Sequence, residues 1–122
     1  DRLYGARSMV FENLGVSYQQ LNRFEEAEAA FTKSLQLNPS QGRALLELAE
    51  IRFAQSNYSE SSRLLARYGM LVQPSARSLW LGIRLARAFN KKDDEASQAL
   101  ALKNIFPTSK EYQLYQDSSR KR

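Results

Sequence analysis

The sequence has 122 residues, of which 43% are hydrophobic, and its 18 Lys and Arg against 13 Asp and Glu give a net charge of +5. This length suits one domain, and no run approaches the roughly 18 consecutive apolar residues that a membrane-spanning helix needs. The chain has no Cys and no His, which excludes disulfides and thiolate metal sites and removes the commonest general base and metal ligand. We therefore expect no metal, no cofactor and no enzymatic activity.

Basic residues are concentrated in the middle of the chain. From Ser40 to Lys92, nine Lys and Arg stand against three Glu. Nucleic-acid binding would need this excess beside exposed aromatic rings on which bases stack, but the aromatic residues fall at the spacing of a helical core. We therefore expect no nucleic-acid partner. We interpret the basic stretch as a solvated outer face, and the alternative is a site for an acidic partner.

The first predicted helix pair covers residues 8–20 and 24–37. Counted from Ser8 as position 1, its characteristic residues are at positions 4, 7, 8, 11, 17, 20, 24 and 32, and they are Phe11, Leu14, Gly15, Tyr18, Phe24, Ala27, Phe31 and Pro39. This spacing is typical of the tetratricopeptide repeat, a pair of helices that recurs about every 34 residues. Gly15 and Ala27 are expected where the two backbones touch, with the larger residues filling the space around them. Pro39 ends the second helix because proline cannot continue its hydrogen bonds.

The pattern recurs twice along the chain. In the second repeat, with predicted helices at 42–55 and 58–70, the corresponding residues are Leu48, Ala49, Tyr58, Ser61 and Leu65. In the third repeat, with predicted helices at 75–90 and 93–105, they are Leu81, Gly82, Leu85, Ala96, Leu100 and Pro107. Ala96 follows Gly82 at a longer separation in the sequence than Ala27 follows Gly15. We therefore predict an elongated third repeat, with the extra length at "NKKDD" and a helix end at Asn90.

A last short helix is predicted at 109–116. Thr108 and Glu111 have the spacing of a capping box that opens it, and Tyr112, Leu114 and Tyr115 are expected to cover the last face of the stack. The trailing "DSSRKR" has no apolar residue to anchor it and is expected to fray. The predicted fold is all-α, a right-handed tetratricopeptide superhelix in a single domain over residues 1–122. Its predicted parts are repeats at 8–41 and 42–74, the elongated repeat at 75–107 and a capping helix at 108–117.

Positions 2, 5, 9 and 12 of each first helix are expected to line the concave groove of the stack. The predicted groove residues are Met9, Glu12, Val16, Gln19, Arg43, Leu46, Glu50, Phe53, Ala76, Leu79, Ile83 and Ala86. A clamp for a C-terminal carboxylate would need Lys and Asn at positions 5 and 9, which this set does not supply. We predict that the groove binds an apolar peptide or strand of a partner protein. For Leu79 and Ile83 the alternative is packing on a neighbouring repeat or on a second copy of the chain.

Three segments match more than the generic repeat. They are "VFENLG" at Val10–Gly15, "ARSLWLGIRLA" at Ala76–Ala86 and the P-x-S-x-E-Y ending at Pro107–Tyr112. With these segments the chain resembles the PilF/PilW family, the tetratricopeptide lipoproteins of type IV pilus biogenesis. The resemblance covers nearly the whole chain and concerns the C-terminal half of family members. We accordingly interpret this sequence, which begins with Asp1, as a mature or truncated piece.

The resemblance implies a pilotin. Such a protein helps the secretin, the outer-membrane pore through which the pilus passes, to localise and assemble. It also implies a place on the periplasmic face of the outer membrane, held in the full-length protein by an upstream lipid anchor, with this piece soluble and not itself inserted. The expected partner is the secretin or another protein of the pilus machinery. The alternative is a structural module that stabilises pili through other machinery partners or through self-association.

Overall fold

The computed structural model describes residues 2–121, apart from the side chain of Arg2, and every helix or strand in that range is an α-helix. The helices are α1 (Arg2–Gln20), α2 (Phe24–Leu37), α3 (Gly42–Ala54), α4 (Tyr58–Leu71), α5 (Ala76–Ala88), α6 (Lys92–Ile105) and α7 (Lys110–Arg120). They pack as the pairs α1–α2, α3–α4 and α5–α6, and α7 packs against α5 and α6. The predicted all-α fold of helix pairs is confirmed.

The helix starts keep the period of the repeat. The second helices α2, α4 and α6 begin at equal intervals, at Phe24, Tyr58 and Lys92, and the starts of α3, α5 and α7 are separated by the same interval. The predicted elongation of the third repeat is therefore wrong. Within each pair a three-residue turn contains one residue in the left-handed region, namely Asn22, Ser56 or Asn90, with φ of 58°, 62° and 57°. Asn adopts this conformation more readily than most residues, which agrees with the predicted helix end at Asn90.

Gly15 lies against an aromatic ring where α1 meets α2. A Cβ atom at Gly15 would be 2.6 Å from Cε1 of Phe31, and Phe31 is fully buried. Ala27 and Ala30 of α2 are buried as well. The predicted close contact at Gly15 is present, but the atoms nearest to the missing Cβ belong to the Phe31 ring and not to backbone.

Buried serines add hydrogen bonds between paired helices. Ser8 Oγ donates to the carbonyl oxygen of Ser34 at 2.9 Å, and Ser34 Oγ donates to that of Ser8 at 2.8 Å. In the second pair, Ser61 Oγ donates to the carbonyl oxygen of Ala49 at 2.7 Å. These bonds offset the free-energy cost of burying hydroxyl groups. Ser61 is thus a small residue, as the repeat pattern indicates, and it also supplies a hydrogen bond between α4 and α3.

Some details of the first pair differ from the prediction. α1 begins at Arg2 and not at Ser8. Leu14 and Phe24, which were expected to fill the helix pair, are exposed, and Tyr18 is half-buried under the guanidinium of Arg23. Leu48, which is equivalent to Leu14 in the second repeat, is buried. This position therefore belongs to the core only where a neighbouring element covers it.

The register predicted for α6 is also wrong. Ala96 and Leu100 are exposed, whereas Ala99 and Leu102 are buried. The fourth residue of each second helix is Ala27, Ser61 and Glu95 in turn. Glu95 therefore stands where small residues stand in the earlier repeats, and an ion pair with Arg87 at 2.7 Å accommodates its charge.

An ion pair connects the first repeat to the second. Arg52 of α3 donates to the carboxylate of Glu28 on α2, and Gln55 Nε2 donates to the same carboxylate at 3.2 Å. The hydrogen bond from Arg52 holds the pKa of Glu28 below its ordinary value. Position 11 therefore has different contacts in the two repeats. In the first repeat Tyr18 lies under Arg23, and in the second repeat Arg52 pairs with Glu28.

The chain falls into two compact units, which we call the N-terminal unit, ending at Val72, and the C-terminal unit, beginning at Gln73. The single domain over residues 1–122 and its repeat boundaries stay a prediction. In the N-terminal unit the core includes Phe31, Leu45 and Leu64. The core cluster of the C-terminal unit consists of buried residues from α5 and α6, namely Leu79, Ile83, Ala99 and Leu102.

α7 covers the core cluster of the C-terminal unit. Tyr112 and Tyr115 pack against it, as predicted, but Leu114 is 48% exposed. The N-cap is Ser109, whose hydroxyl accepts from the backbone N of Tyr112 at 3.1 Å, so the predicted capping box starting at Thr108 is wrong. The helix continues to Arg120, so the fraying predicted for the trailing "DSSRKR" is wrong for Asp117–Arg120, and Arg122 lies outside the described residues.

Candidate partner-binding site

The groove residues predicted for α5 are displaced by one position. Because α3 begins at Gly42 and α5 begins one repeat period later, at Ala76, positions 2, 5, 9 and 12 of α5 are occupied by Arg77, Trp80, Arg84 and Arg87. Leu79 and Ile83 instead occupy positions 4 and 8, and they are only 7% and 0% exposed. They belong to the core cluster that α7 covers. The register was displaced because Leu81-Gly82 was aligned with Leu14-Gly15. The Leu81-Gly82 pair lies one position earlier in its repeat than Leu14-Gly15 does in the first repeat.

In the N-terminal unit the register is as predicted. The four positions are three or four residues apart, so they share one face of each first helix. Met9 is 55% exposed, and Val16, Glu50 and Phe53 are half-buried. Leu46 is buried and belongs to the core, which makes it unsuitable as a contact residue.

Glu12 has a structural role at the start of α3. Its Oε2 atom accepts from the backbone N of Ala44 at 2.9 Å. Gln41, the N-cap residue of α3, gives no side-chain cap hydrogen bond. Glu12 therefore supplies an acceptor for an otherwise unpaired N–H group and a negative charge at the positive end of the helix dipole.

Glu47 connects two further predicted groove residues. Gln19 Nε2 donates to Glu47 Oε1 at 3.3 Å, and Arg43 Nε lies 3.6 Å from Glu47 Oε2. The Glu47 side chain is buried, but that of Arg43 is 57% exposed. Gln19 thus helps to hold α1 against α3, while Arg43 leaves a positive charge at the surface.

Seven of the eight predicted groove residues in the N-terminal unit are exposed or half-buried. Glu12 and Gln19 bond to residues of α3, and we call the other five the α1–α3 surface. They are Met9, Val16, Arg43, Glu50 and Phe53. The Phe53 ring is held in place by the ring of Tyr58, whose centroid is 5.1 Å away at an angle of 57°. Three apolar side chains beside one charge of each sign suit a partner segment of mixed polarity, since apolar anchors supply affinity and charges supply orientation.

In the C-terminal unit, two guanidinium groups lie near the ring of Trp80. The Cζ atoms of Arg84 and Arg87 are 5.3 Å and 5.7 Å from its ring centroid, which is within cation–π distance. This grouping was not predicted, because the predicted register of α5 was displaced by one residue. The spacing of Arg77, Trp80 and Arg84 along one helix face would have identified it.

Arg87 joins three helices. Its Nε donates to Glu95 Oε2 at 2.7 Å and its Nη1 donates to Ser118 Oγ at 2.8 Å. Its guanidinium also lies 5.5 Å from the ring centroid of Tyr115. These contacts explain why α7 stays helical through Ser118, a segment that the sequence alone predicts to be loose.

Residues 2–121 contain no group of three or more metal-ligating side chains that could hold an ion. Within the same range, none of the helices combines the length and the apolar character that a membrane span requires.

Comparisons with known proteins agree with this architecture. A family model of the tetratricopeptide repeat matches residues 9–41. The type IV pilus assembly protein PilF of Pseudomonas aeruginosa is 40% identical over 116 residues, which are 95% of this chain and 46% of PilF. The chain thus spans about half the length of this relative.

Solved structures show the same fold. A structure of Pseudomonas aeruginosa PilF matches with a TM-score of 0.89 and 40% identity, covering 97% of this chain and 53% of that chain. A structure of PilW, described as a widely conserved type IV pilus biogenesis factor, matches with a TM-score of 0.73 and 24% identity, covering 89% of this chain and 50% of that chain. The chain therefore has a tetratricopeptide-repeat fold, and it is similar, over nearly its whole length, to the type IV pilus assembly protein PilF.

Proposed function

We propose that this chain is a non-catalytic protein-binding scaffold that acts in type IV pilus biogenesis. The observation that carries the proposal is the 40% identity to a type IV pilus assembly protein over 95% of the chain. Stacked helix pairs present rigid first-helix faces, which is how repeat proteins bind other proteins. The α1–α3 surface provides such a face in the N-terminal unit.

The specific role that we propose is that of a pilotin. The partner is the secretin of the type IV pilus, and binding assists its localisation and assembly in the outer membrane. The full-length protein is a lipoprotein on the periplasmic face of that membrane, with its lipid anchor upstream of this segment. Support comes from the family resemblance and from the apolar side chains of Met9, Val16 and Phe53, which suit a peptide or strand of the partner.

A second candidate is a structural module that stabilises pili through other machinery proteins or through its own copies. It is favoured by the exposure of apolar residues on and just after α1, including Val10 and Leu21. Exposed apolar side chains that cluster on one helix commonly mark an interaction face. The two candidates differ in whether the secretin needs this protein.

Deletion of the gene in the organism that encodes it tests the proposal. We expect loss of surface pili by electron microscopy together with loss of the assembled secretin multimer from outer-membrane fractions. Lost pili with a normal multimer would support the second candidate. Normal pili would contradict a role in pilus biogenesis altogether.

Complementation provides the matched controls for this deletion. The native gene and a Gly82→Ala variant should both restore pili, because the side chain of Gln98 can move away from the added methyl group. A Gly15→Leu variant should not restore them, because the buried ring of Phe31 leaves no room for leucine.

A further inference from the structure

An open pocket of about 330 Å³ lies between α6 and α7, and it includes neither Trp80 nor any residue of the α1–α3 surface. Its lining residues come from these two helices, and they are Ala96, Ala99, Leu100, Lys103, Tyr112 and Tyr115. The two tyrosine rings are nearly parallel, with centroids 6.2 Å apart and an angle of 20°. The pocket therefore combines an apolar floor, an aromatic wall and a single cation.

Leu100 makes this pocket different from the outer faces of the other second helices. It is 58% exposed although it lies in the middle of α6. Counted from the helix starts, the equivalent residues of α2 and α4 are Thr32 and Ala66. Covering an exposed leucine side chain is favourable because it removes apolar surface from water, so a partner that covers Leu100 would gain affinity at this repeat in particular.

The charges around the pocket favour an acidic partner. The side chain of Lys103 makes no hydrogen bond or ion pair with the described residues, and none of the lining residues is acidic. Residues 73–122 carry ten Lys and Arg against five Asp and Glu, whereas residues 1–72 carry eight of each. The whole net charge of the chain thus resides in the C-terminal unit, where it attracts anionic partners over long range.

We propose that the α6–α7 pocket docks a segment of a partner protein in which a large apolar side chain stands next to a carboxylate. The apolar side chain lies between Leu100 and the pair of tyrosines, and the carboxylate pairs with Lys103. This site shares no residue with the α1–α3 surface, and it does not depend on whether the partner there is the secretin.

Fluorescence anisotropy with two labelled synthetic peptides tests the proposal on the full chain. One peptide alternates leucine and aspartate, and the other has asparagine in place of aspartate. We expect the aspartate peptide to bind, and Leu100→Ala and Lys103→Glu each to raise its Kd by at least about fivefold. The asparagine peptide should bind more weakly by a similar factor.

Two substitutions on the same helix serve as controls. Ile105 is 57% exposed but does not line the pocket, and Lys92 lies at the opposite end of α6. Ile105→Ala and Lys92→Glu should change the Kd by less than about twofold. The proposal is overturned if the aspartate peptide does not bind, if both peptides bind equally, or if the controls weaken binding as much as the pocket variants. Self-association of the native chain in sedimentation that Leu100→Ala abolishes would also overturn it, because the occupant would then be a second copy.

Discussion

Replacing Gly15 by leucine is expected to unfold the α1–α2 pair or to loosen it severely. Even a Cβ atom at this position would be 2.6 Å from Cε1 of Phe31, and Phe31 is fully buried and cannot move aside. Overpacking by a few methylene groups costs about 1–3 kcal/mol, and leucine adds four carbon atoms, so we expect a loss of about 3 kcal/mol or more. Urea unfolding followed by circular dichroism measures the change.

Gly82→Ala is the matched control for this prediction. A Cβ atom there would clash with Oε1 of Gln98, but that oxygen ends a flexible and only half-buried side chain. Alanine also gains about 1 kcal/mol of helix propensity over glycine. We therefore expect an unchanged or higher unfolding midpoint. A Gly15→Leu variant that unfolds at the same urea concentration as the native chain would show that the contact with Phe31 has been misassigned.

Truncation after Pro107 is expected to destabilise the C-terminal unit by about 2–4 kcal/mol, since it removes two half-buried tyrosines from an apolar core. It uncovers the core cluster, including Leu79 and Ile83, and deprives Arg87 of its contacts with Ser118 and Tyr115. The newly exposed apolar surface should also cause self-association. Thermal unfolding and sedimentation velocity measure the two effects.

The control for the truncation is Leu114→Ala in the full chain. Leu114 lies on the same helix but is exposed, so the free energy of unfolding should change by no more than about 0.5 kcal/mol. A truncated chain that stays monomeric and melts with the native one would refute the covering role of α7.

The sequence predicted most of the fold because three signals agreed. Helical periodicity, small residues at contact positions and a proline after each second helix all indicated pairs of helices. The two boundaries that were missed have identifiable causes. The first turns of α1 carry no start signal, and the end of α7 depends on hydrogen bonds from Arg87, which is far from Ser118 in the sequence. Such long-range contacts are not visible in local pattern.

The register of the first-helix positions was predicted correctly in one unit and shifted in the other, while the binding role of these residues stays a prediction. On α1 and α3 the repeat register was right. However, the side chains of Glu12 and Gln19 form hydrogen bonds with residues of α3 and hold these two helices together. On α5, the alignment of Leu81-Gly82 with the first repeat shifted the predicted register by one residue. As a result, the core residues Leu79 and Ile83 were predicted to lie on the surface. The ion pair with Arg87 allows Glu95 to occupy the fourth position of α6, where the earlier repeats have a small residue. Because no small residue marks this position in the third repeat, the sequence pattern did not reveal the correct register.

Capture of the purified secretin by the native chain and by a variant of the α1–α3 surface is the most direct test of the central claim. We expect Glu50→Lys combined with Phe53→Ala to keep its helical content and to weaken binding by about tenfold, the loss of one strong contact. Arg63→Glu, at an exposed position on the second helix α4, should bind as the native chain does. The account is contradicted if the surface variant binds normally while Arg63→Glu does not, because the secretin would then be held by the charge of the outer face.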